Sequence, residues 1–517
     1  MAKIRRDKGE NNIFVNVAKI VVFLMLVAIQ LYVLYAIYKG TFLFSEYLTG
    51  VFTLIQLIAV LYIIYQNGNP AYKIAWIIFI MFLPIAGILV YLLWGNGKMS
   101  KKRTKEIENI EKRGENTLCF DKTVYEELKQ KDPLKYHQAE YIRQVTGYPV
   151  YRNRQVQFLE IGETFFENLK EDLKKATHYI LMEYFIIAES SMWDEIFDIL
   201  KEKAKQGVEI KISVDEIGSI VLYPKHFKKK LKEAGIELKI FNPVTPVIGA
   251  YLNYRDHRKI AVIDGKVAYN SGINIADEYI NRDHRRGHWK DTGVRVSGEA
   301  VWSYTLMFLR MWELSTKQEV DYEKYQVTVK NEKESRGYLA FYGDGPNNLK
   351  NPAENVYIQL INQARNYIYI TTPYLIIDNE LTVALSNAAR SGVDVRIITP
   401  YIPDKKFVQV MTRSFYQRLL EAGVKIYEYK PGFIHSKLFV SDDEVAVVGT
   451  INLDFRSLYL HFECGTWIYQ TGEELRIKND FIDTMNVSLE VDLESWKKRS
   501  FIKKVTEAIL TAFAPLM

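Results

Sequence analysis

Cysteine is nearly absent: Cys119 and Cys464 are the only two in 517 residues. Two isolated cysteines supply neither a zinc-ligand spacing nor a disulfide framework. That suits a reducing compartment, and equally an exported protein without cross-links. A large charge excess is also missing. Lys and Arg number 68 against 62 acidic residues, a formal net charge of +6. This is too small to argue for nucleic acid, but it suits an acidic bilayer. Histidine is scarce, with 8 in the chain, which gives weight to any that recur in a pattern. Apolar residues are plentiful, at 48% with 13% aromatic, enough to fill more than one core.

Much of that apolar content lies in the first hundred residues. Ile20–Tyr38 is broken only by Gln30, Leu48–Tyr65 only by Thr49, Thr53 and Gln56, and Ile74–Trp94 is apolar throughout. Each approaches the roughly 20 residues a helix needs to cross a ~30 Å hydrocarbon layer. Residues 1–98 are therefore expected to form an N-terminal membrane anchor with two or three transmembrane segments. The first stretch is long and lacks a small-residue cleavage site, which argues against a removable signal peptide. Lys3, Arg5, Arg6 and Lys8 precede the set, and Lys98, Lys101, Lys102, Arg103 and Lys105 follow it. The positive-inside rule puts both flanks in the cytoplasm. Three full crossings would separate them, so one stretch must bend back. Pro84-Ile85-Ala86-Gly87 is the expected kink or re-entrant bend. The expectation is a multi-pass cell-membrane protein with a cytoplasmic catalytic region.

A charged, mostly helical connector over 99–145 leads to a region built twice, 146–330 and 331–517. The first copy runs from a strand pattern at Tyr179–Ile187 through Gly207–Ile212 and Glu233–Leu238 to His257. The second runs from Tyr367–Ile370 through Gly392–Ile397 and Glu421–Ile426 to His435. Strand-like β-branched runs alternate with helical patterns that end in Gly, which predicts an α/β fold. Gly past a helix end supplies the left-handed residue that turns the chain back toward a strand. Two such copies predict a pseudo-two-fold pair sharing something at their junction. The first copy has an extra Pro- and aromatic-rich segment, Phe241–Tyr254, of the kind that shapes entry to a site.

Each copy carries one short pattern. His257, Lys259 and Asp264 are followed by Asn274; His435, Lys437 and Asp442 are followed by Asn452. The spacings are identical. Alternation along extended backbone points each His with its Lys. The apolar run up to each Asp reads as a buried strand, and Asp264-Gly265 and Asp442-Asp443 as turns. Histidine can attack phosphorus or move a proton near neutral pH. Lysine holds phosphate oxygens and offsets the charge that develops on them. Asparagine donates an amide. One histidine from each copy would give an attacking group and a group to protonate the leaving alcohol. A metal centre is the competing reading. A lysine beside each His repels a cation, and no further His or Cys cluster completes a shell, so no metal is expected.

These paired motifs resemble those of the phospholipase D superfamily, and over most of its length the chain resembles the cardiolipin synthases. The likeness begins at Asn69-Pro70 through Trp76, with Pro84–Gly95, where that family has its membrane-anchoring segment. It continues at Ile273–Tyr279, Trp289-Lys290-Asp291-Thr292, Asn452–Ser457 and Phe462-Glu463. Ser271 stands where Gly is usual, and His461 where Asn is usual. The resemblance implies two duplicated phospholipase D-like α/β/α domains and a two-step reaction without metal or other cofactor. One histidine attacks phosphatidylglycerol and expels glycerol; a second phosphatidylglycerol takes the phosphatidyl group from the histidine, giving cardiolipin. His257 is assigned as nucleophile and His435 as acid/base. Lys259, Lys437, Asn274 and Asn452 would bind phosphate, and Asp264 and Asp442 would orient histidines or lysines. Glu278 and Glu463 would stand behind them. The partners implied are phosphatidylglycerol, cardiolipin and an anionic membrane, with no nucleic acid; a homo-oligomer is compatible with the sequence.

Two further surfaces stand out. Trp496–Arg499 with Phe501, Ile502, Val505, Ile509, Leu510 and Phe513 makes a basic amphipathic helix pattern, suited to anionic lipid or to packing on the core. Arg282, His284, Arg285, Arg286 and His288 form a basic cluster, either a solvated loop or a headgroup contact. Alternatives to the transferase are a hydrolase that gives the intermediate to water, a phosphatidylserine synthase-like transferase, and a non-catalytic membrane scaffold.

Overall fold

The strand patterns of the two copies become two mixed sheets in the structure, a computed structural model describing residues 45–95, 99–152, 155–220, 222–243, 253–327 and 337–516, with four isolated positions before 45. One unit of the chain comprises Met1–Lys98, Val244–Asn253 and Ala508–Met517; the other comprises Met99–Pro243 and Tyr254–Glu507.

In the larger unit the first sheet has seven strands. Their order is Val156–Leu159, Gly293–Ser297, Val267–Ser271, Ile260–Ile263, Tyr179–Tyr184, Glu209–Asp215 and Glu237–Phe241. The second has nine, and seven of them repeat that order: Tyr338–Asp344, Glu463–Tyr469, Val445–Gly449, Leu438–Ser441, Tyr367–Thr371, Asp394–Pro400 and Lys425–Tyr429. In each copy three strands run parallel, and the motif strand and its hairpin partner add antiparallel beside them. Parallel neighbours need a crossover, which helices supply. Ser191–Lys205 is one such helix. Ser190 caps it by accepting from the Trp193 amide, and it buries Met192, Trp193, Ile196 and Leu200. Gly207 (φ 88°) and Gly392 (φ 94°) take the left-handed turn after the crossover helices.

The copies differ from expectation at their edges. Val150–Arg152, assigned from sequence to the first copy at 146–330, pairs antiparallel with Tyr338–Asp344 and so joins the second copy's sheet. A three-residue strand carries no local signal of its partner; pairing is set by packing. The helix Val301–Thr316 buries 13 of its 16 residues. It is apolar nearly all round, as an internal helix must be, and its side chains share one core with strands of both sheets.

In the smaller unit the expected crossings are altered. Ile20–Tyr38 lies almost wholly outside the described residues. Ser45–Tyr65 is one helix, and Ile74–Trp94 is broken into Pro70–Phe82, Pro84–Val90 and a π turn at Tyr91–Gly95. The break falls at Leu83 (φ −129°, ψ 73°), since a residue before proline is pushed out of the helical region. Gln56 donates its side-chain amide to the Ile80 carbonyl, and Ile63, Trp76, Ile80 and Tyr91 form a small core. Among the described residues, no helix is long and apolar enough to cross a membrane. The predicted entry loop, Phe241–Tyr254, lies mostly outside the described residues.

Candidate active site

The motif residues enter the larger unit at the mouths of the two sheets. His257 and Lys259 lie in the irregular segment just before Ile260–Ile263, and His435 and Lys437 in the one just before Leu438–Ser441. All four are buried. The two copies hold each other's motif in place through the backbone. The His257 amide donates to the Phe462 carbonyl at 2.9 Å, and the His435 amide to the Lys290 carbonyl at 2.7 Å. Gly432–Ile434 runs parallel with His288–Lys290, and Thr292 and Ser436 hydroxyls meet at 2.7 Å.

The acids are exchanged in the same way. His257 Nδ1 lies 2.9 Å from Glu463 Oε1, and His435 Nδ1 lies 2.6 Å from Asp291 Oδ2. Each imidazole thus takes its carboxylate from the other copy. With Nδ1 bonded to an acid, Nε2 is the nitrogen left to react. Phe185 packs edge-on to His257, and Tyr279 and Trp289 pack on His435. Lys259 Nζ donates to the His257 carbonyl; Lys437 Nζ contacts the His435 carbonyl and lies 2.8 Å from His435 Nδ1.

The two pairs hold protons differently. Burial, the largest effect, drives the His257 imidazole down to about 3 despite the pull of Glu463. Burial opposes the Glu463 charge, but His257, His461 and Lys259 hold that carboxyl well below the usual range. The first pair is therefore a neutral imidazole beside a firm carboxylate. In the second, burial pushes Asp291 up to about 7 against the attraction of Lys437, and burial with Lys437 and Lys259 pushes His435 down. That pair sheds a proton close to neutral pH. Burial also lowers Lys259 to about 7 and Lys437 to about 8. Lys259 and Lys437 act on each other, and Asp291 on both lysines, so both motifs bear on one electrostatic centre.

Several expected roles are corrected. Among the described residues, Asp264 and Asp442 bond neither the motif histidines His257 and His435 nor the motif lysines Lys259 and Lys437. Asp264 accepts from the amides of Thr177, His178 and Tyr179 and from the Thr177 hydroxyl. Asp442 accepts from the amides of Arg365, Asn366 and Tyr367. Each clamps the start of the neighbouring strand. Asn274 is spent within the wall: its oxygen accepts from the Ile186 amide and its amide donates to Tyr279 Oη. Asn452 is buried, with its side-chain oxygen unpaired among the described residues. Glu463 stands directly on His257. Glu278 is half-buried, and its electrostatic neighbours are Asp283, Arg285 and Arg286 rather than an imidazole. In the basic cluster, Arg282 bonds Ser191 and Glu195, and His288 Nδ1 meets Tyr429 Oη at 2.8 Å.

Asp291 was not singled out from the sequence. The available signal was an acid at the start of the strand that follows each motif hairpin, Asp291 just before Gly293–Ser297 and Glu463 opening Glu463–Tyr469. His461, noted only as a departure, is also at the site, its ring 5.8 Å from that of His257.

The duplicated sheet and the paired, acid-supported imidazoles define a phospholipase D-like enzyme. A family profile described as "Cardiolipin synthase, PLD-like domain" matches residues 169–301 and 357–485, and one described as "Phospholipase_D-nuclease N-terminal" matches 54–96. A cardiolipin synthase of Halalkalibacterium halodurans is 33% identical over 97% of this chain and 100% of its own length. An uncharacterized Streptococcus mutans protein is 43% identical over 89% of this chain and 99% of its own. A crystal structure of phosphatidylserine synthase from Haemophilus influenzae shares the fold, with a TM-score of 0.56 and 14% identity over 74% of this chain and 98% of that one. This chain belongs to the cardiolipin synthase family of phospholipase D-like phosphatidyltransferases.

Proposed function

We propose that the enzyme joins two phosphatidylglycerol molecules into cardiolipin and releases glycerol. His257 Nε2 attacks the phosphorus of the first lipid. The P–O bond to its terminal glycerol breaks, and the His435–Asp291 pair gives that alkoxide a proton. This leaves a phosphatidyl group on His257. A hydroxyl of the second lipid then gives its proton back to the His435–Asp291 pair and attacks phosphorus, so the P–N bond breaks and His257 is restored.

The observation that carries the reading is the crossed pairing itself: each imidazole is bonded through Nδ1 to a carboxylate of the other copy, which leaves Nε2 of each to react. A neutral imidazole backed by a firm carboxylate keeps a lone pair free for attack. A pair that titrates near neutrality suits the proton transfers. Lys259, Lys437 and Asn452 are the groups proposed to hold phosphate oxygens. The two sequence copies, 146–330 and 331–517, act as halves of one site under this reading. The smaller unit and the exposed Phe501 and Ile502 are proposed to bring the site to an anionic cell membrane, with the catalytic region on the cytoplasmic side.

Labelled phosphatidylglycerol given to the purified full chain should yield cardiolipin and glycerol in equal amounts. Phosphatidic acid as the sole lipid product would replace the transferase with a hydrolase. His257→Ala and His435→Ala should each lower turnover by about three orders of magnitude with an unchanged melting temperature. Wild-type turnover in either variant would rule out that histidine as nucleophile or proton carrier.

A further inference from the structure

In the sequence, no further His or Cys cluster stands close enough to either motif to complete a metal shell. The fold brings one more histidine there. His257, His461 and Glu463 each offer a ligand atom, and these atoms all lie within 4.8 Å of one another. His461 Nδ1 is 3.8 Å from Glu463 Oε1, and His257 Nδ1 is 2.9 Å from that same oxygen. Among the described residues neither nitrogen of His461 has a partner within hydrogen-bond length, the Glu463 carboxylate lying just beyond it. A partly exposed ring whose two nitrogens are both shielded from solvent and unbonded is costly and calls for an explanation. Nothing in the proposed phosphatidyl transfer uses it.

We propose that His257, His461 and Glu463 form an inhibitory site for a zinc-like divalent cation. Two imidazoles and a carboxylate are the donor set such ions prefer, with a fourth position left for water. Hard cations such as magnesium favour all-oxygen shells and gain little from these ligands. Tetrahedral ligand atoms around an ion held at about 2.0–2.2 Å stand roughly 3.4 Å apart. His461 Nδ1 therefore moves only slightly in from 3.8 Å, while His257 Nδ1 and Glu463 Oε1 move slightly apart from 2.9 Å and exchange their hydrogen bond for the ion. Glu463 keeps its bond from the Thr450 hydroxyl. Lys259, bonded to the His257 carbonyl, is the like charge that weakens binding and keeps it reversible.

The consequence for catalysis follows from proton placement. In the free enzyme His257 Nδ1 carries the proton facing Glu463, and Nε2 keeps its lone pair. When the cation takes the Nδ1 lone pair, that proton must leave; it moves to Nε2, the atom proposed to attack phosphorus. The nucleophile is then masked while the fold is untouched. This inhibition rests on the proposed role of His257, whereas the binding site does not.

The test uses the full chain in detergent, stripped with a chelator. Calorimetry with zinc chloride should show one site per chain, and X-ray absorption should show a nitrogen/oxygen shell with imidazole scattering. Zinc should inhibit cardiolipin formation and chelator should restore it, whereas magnesium at the same concentration should not inhibit. His461→Asn should raise both the zinc dissociation constant and the half-inhibiting concentration about tenfold or more. His461→Cys, which restores a ligand, should bring both back toward wild type. Absence of zinc binding, or equal zinc affinity in wild type and His461→Asn, overturns the site. If the wild type binds zinc in this manner but the stripped enzyme makes no cardiolipin, the transferase reading fails and the site stands.

Discussion

Asp264 ends the strand Ile260–Ile263 five positions beyond Lys259. A rise of roughly 3.3 Å per residue puts it about 16 Å away, out of reach of the reacting groups. It holds three amides and a hydroxyl at the start of Tyr179–Tyr184. Asp264→Ala should therefore cost stability, about 2–4 kcal/mol by chemical denaturation, while the folded fraction keeps its turnover. Asp442→Ala should cost less, because its partners are exposed. Burial opposes the Asp264 charge, but the amides of His178 and Tyr179 hold its carboxyl below the usual value. Its contribution is complete above the unfolded value near ~3.9 and is lost as pH falls through the lower folded value. The stability gap between wild type and variant should close only in acid below about pH 4. Asp291 is the reverse case, a carboxyl pushed up to about 7 by burial. Turnover should decline above that pH as the pair loses its proton. Asp291→Asn should lower kcat and erase that limb of the pH profile.

At the scale of elements, glycines decide how closely strands and loops approach. A Cβ on Gly272, just past Val267–Ser271, would lie 2.2 Å from Asp291 Oδ1. Gly272→Ala should push that carboxylate off His435 and depress turnover in a protein that still folds. Gly207 (φ +88°) faces open space. Gly207→Ala should cost about 1 kcal/mol of stability and leave turnover alone. Comparing the two separates backbone strain from displacement of a site group. The elements themselves were largely readable. Crossover helices, their glycine stops and the motif hairpins follow from local pattern, because periodicity and turn chemistry act within a few residues. The break at Leu83 follows from Pro84, although three broken pieces in place of one crossing did not. The membership of Val150–Arg152 was not readable, since strand pairing joins residues nearly two hundred positions apart.

For the molecule as a whole, the question is how the catalytic core meets a lipid substrate. The helix Phe501–Phe513 leaves Phe501, Ile502, Val505 and Ile509 exposed, with Lys498, Lys503 and Lys504 close by in the chain. Just before it, Trp496 packs on Tyr416, and Arg499 lies 3.8 Å over the Trp496 ring, so the segment serves both packing and an outward apolar face. Each lysine near an anionic surface contributes about 1 kcal/mol, screened by salt. Replacing Lys498, Lys503 and Lys504 by Gln should slow turnover on phosphatidylglycerol vesicles and flatten its salt dependence. Rates in detergent micelles at high salt should stay equal.

The sequence by itself determined the family, the duplicated α/β plan and the repeated spacing of His257 with Lys259 and of His435 with Lys437, on which the proposed roles rest. These are carried by residue type and short spacing, which survive without knowledge of the fold. Tertiary structure alone decided which acid serves which histidine, that Asp264 and Asp442 act as strand clamps, and that His461 completes a cluster with His257 and Glu463. The reason is physical. Acid–imidazole pairing and proton affinity depend on burial and on neighbours supplied by the other copy, 206 residues away for His257 and 144 for His435, and no local pattern encodes them.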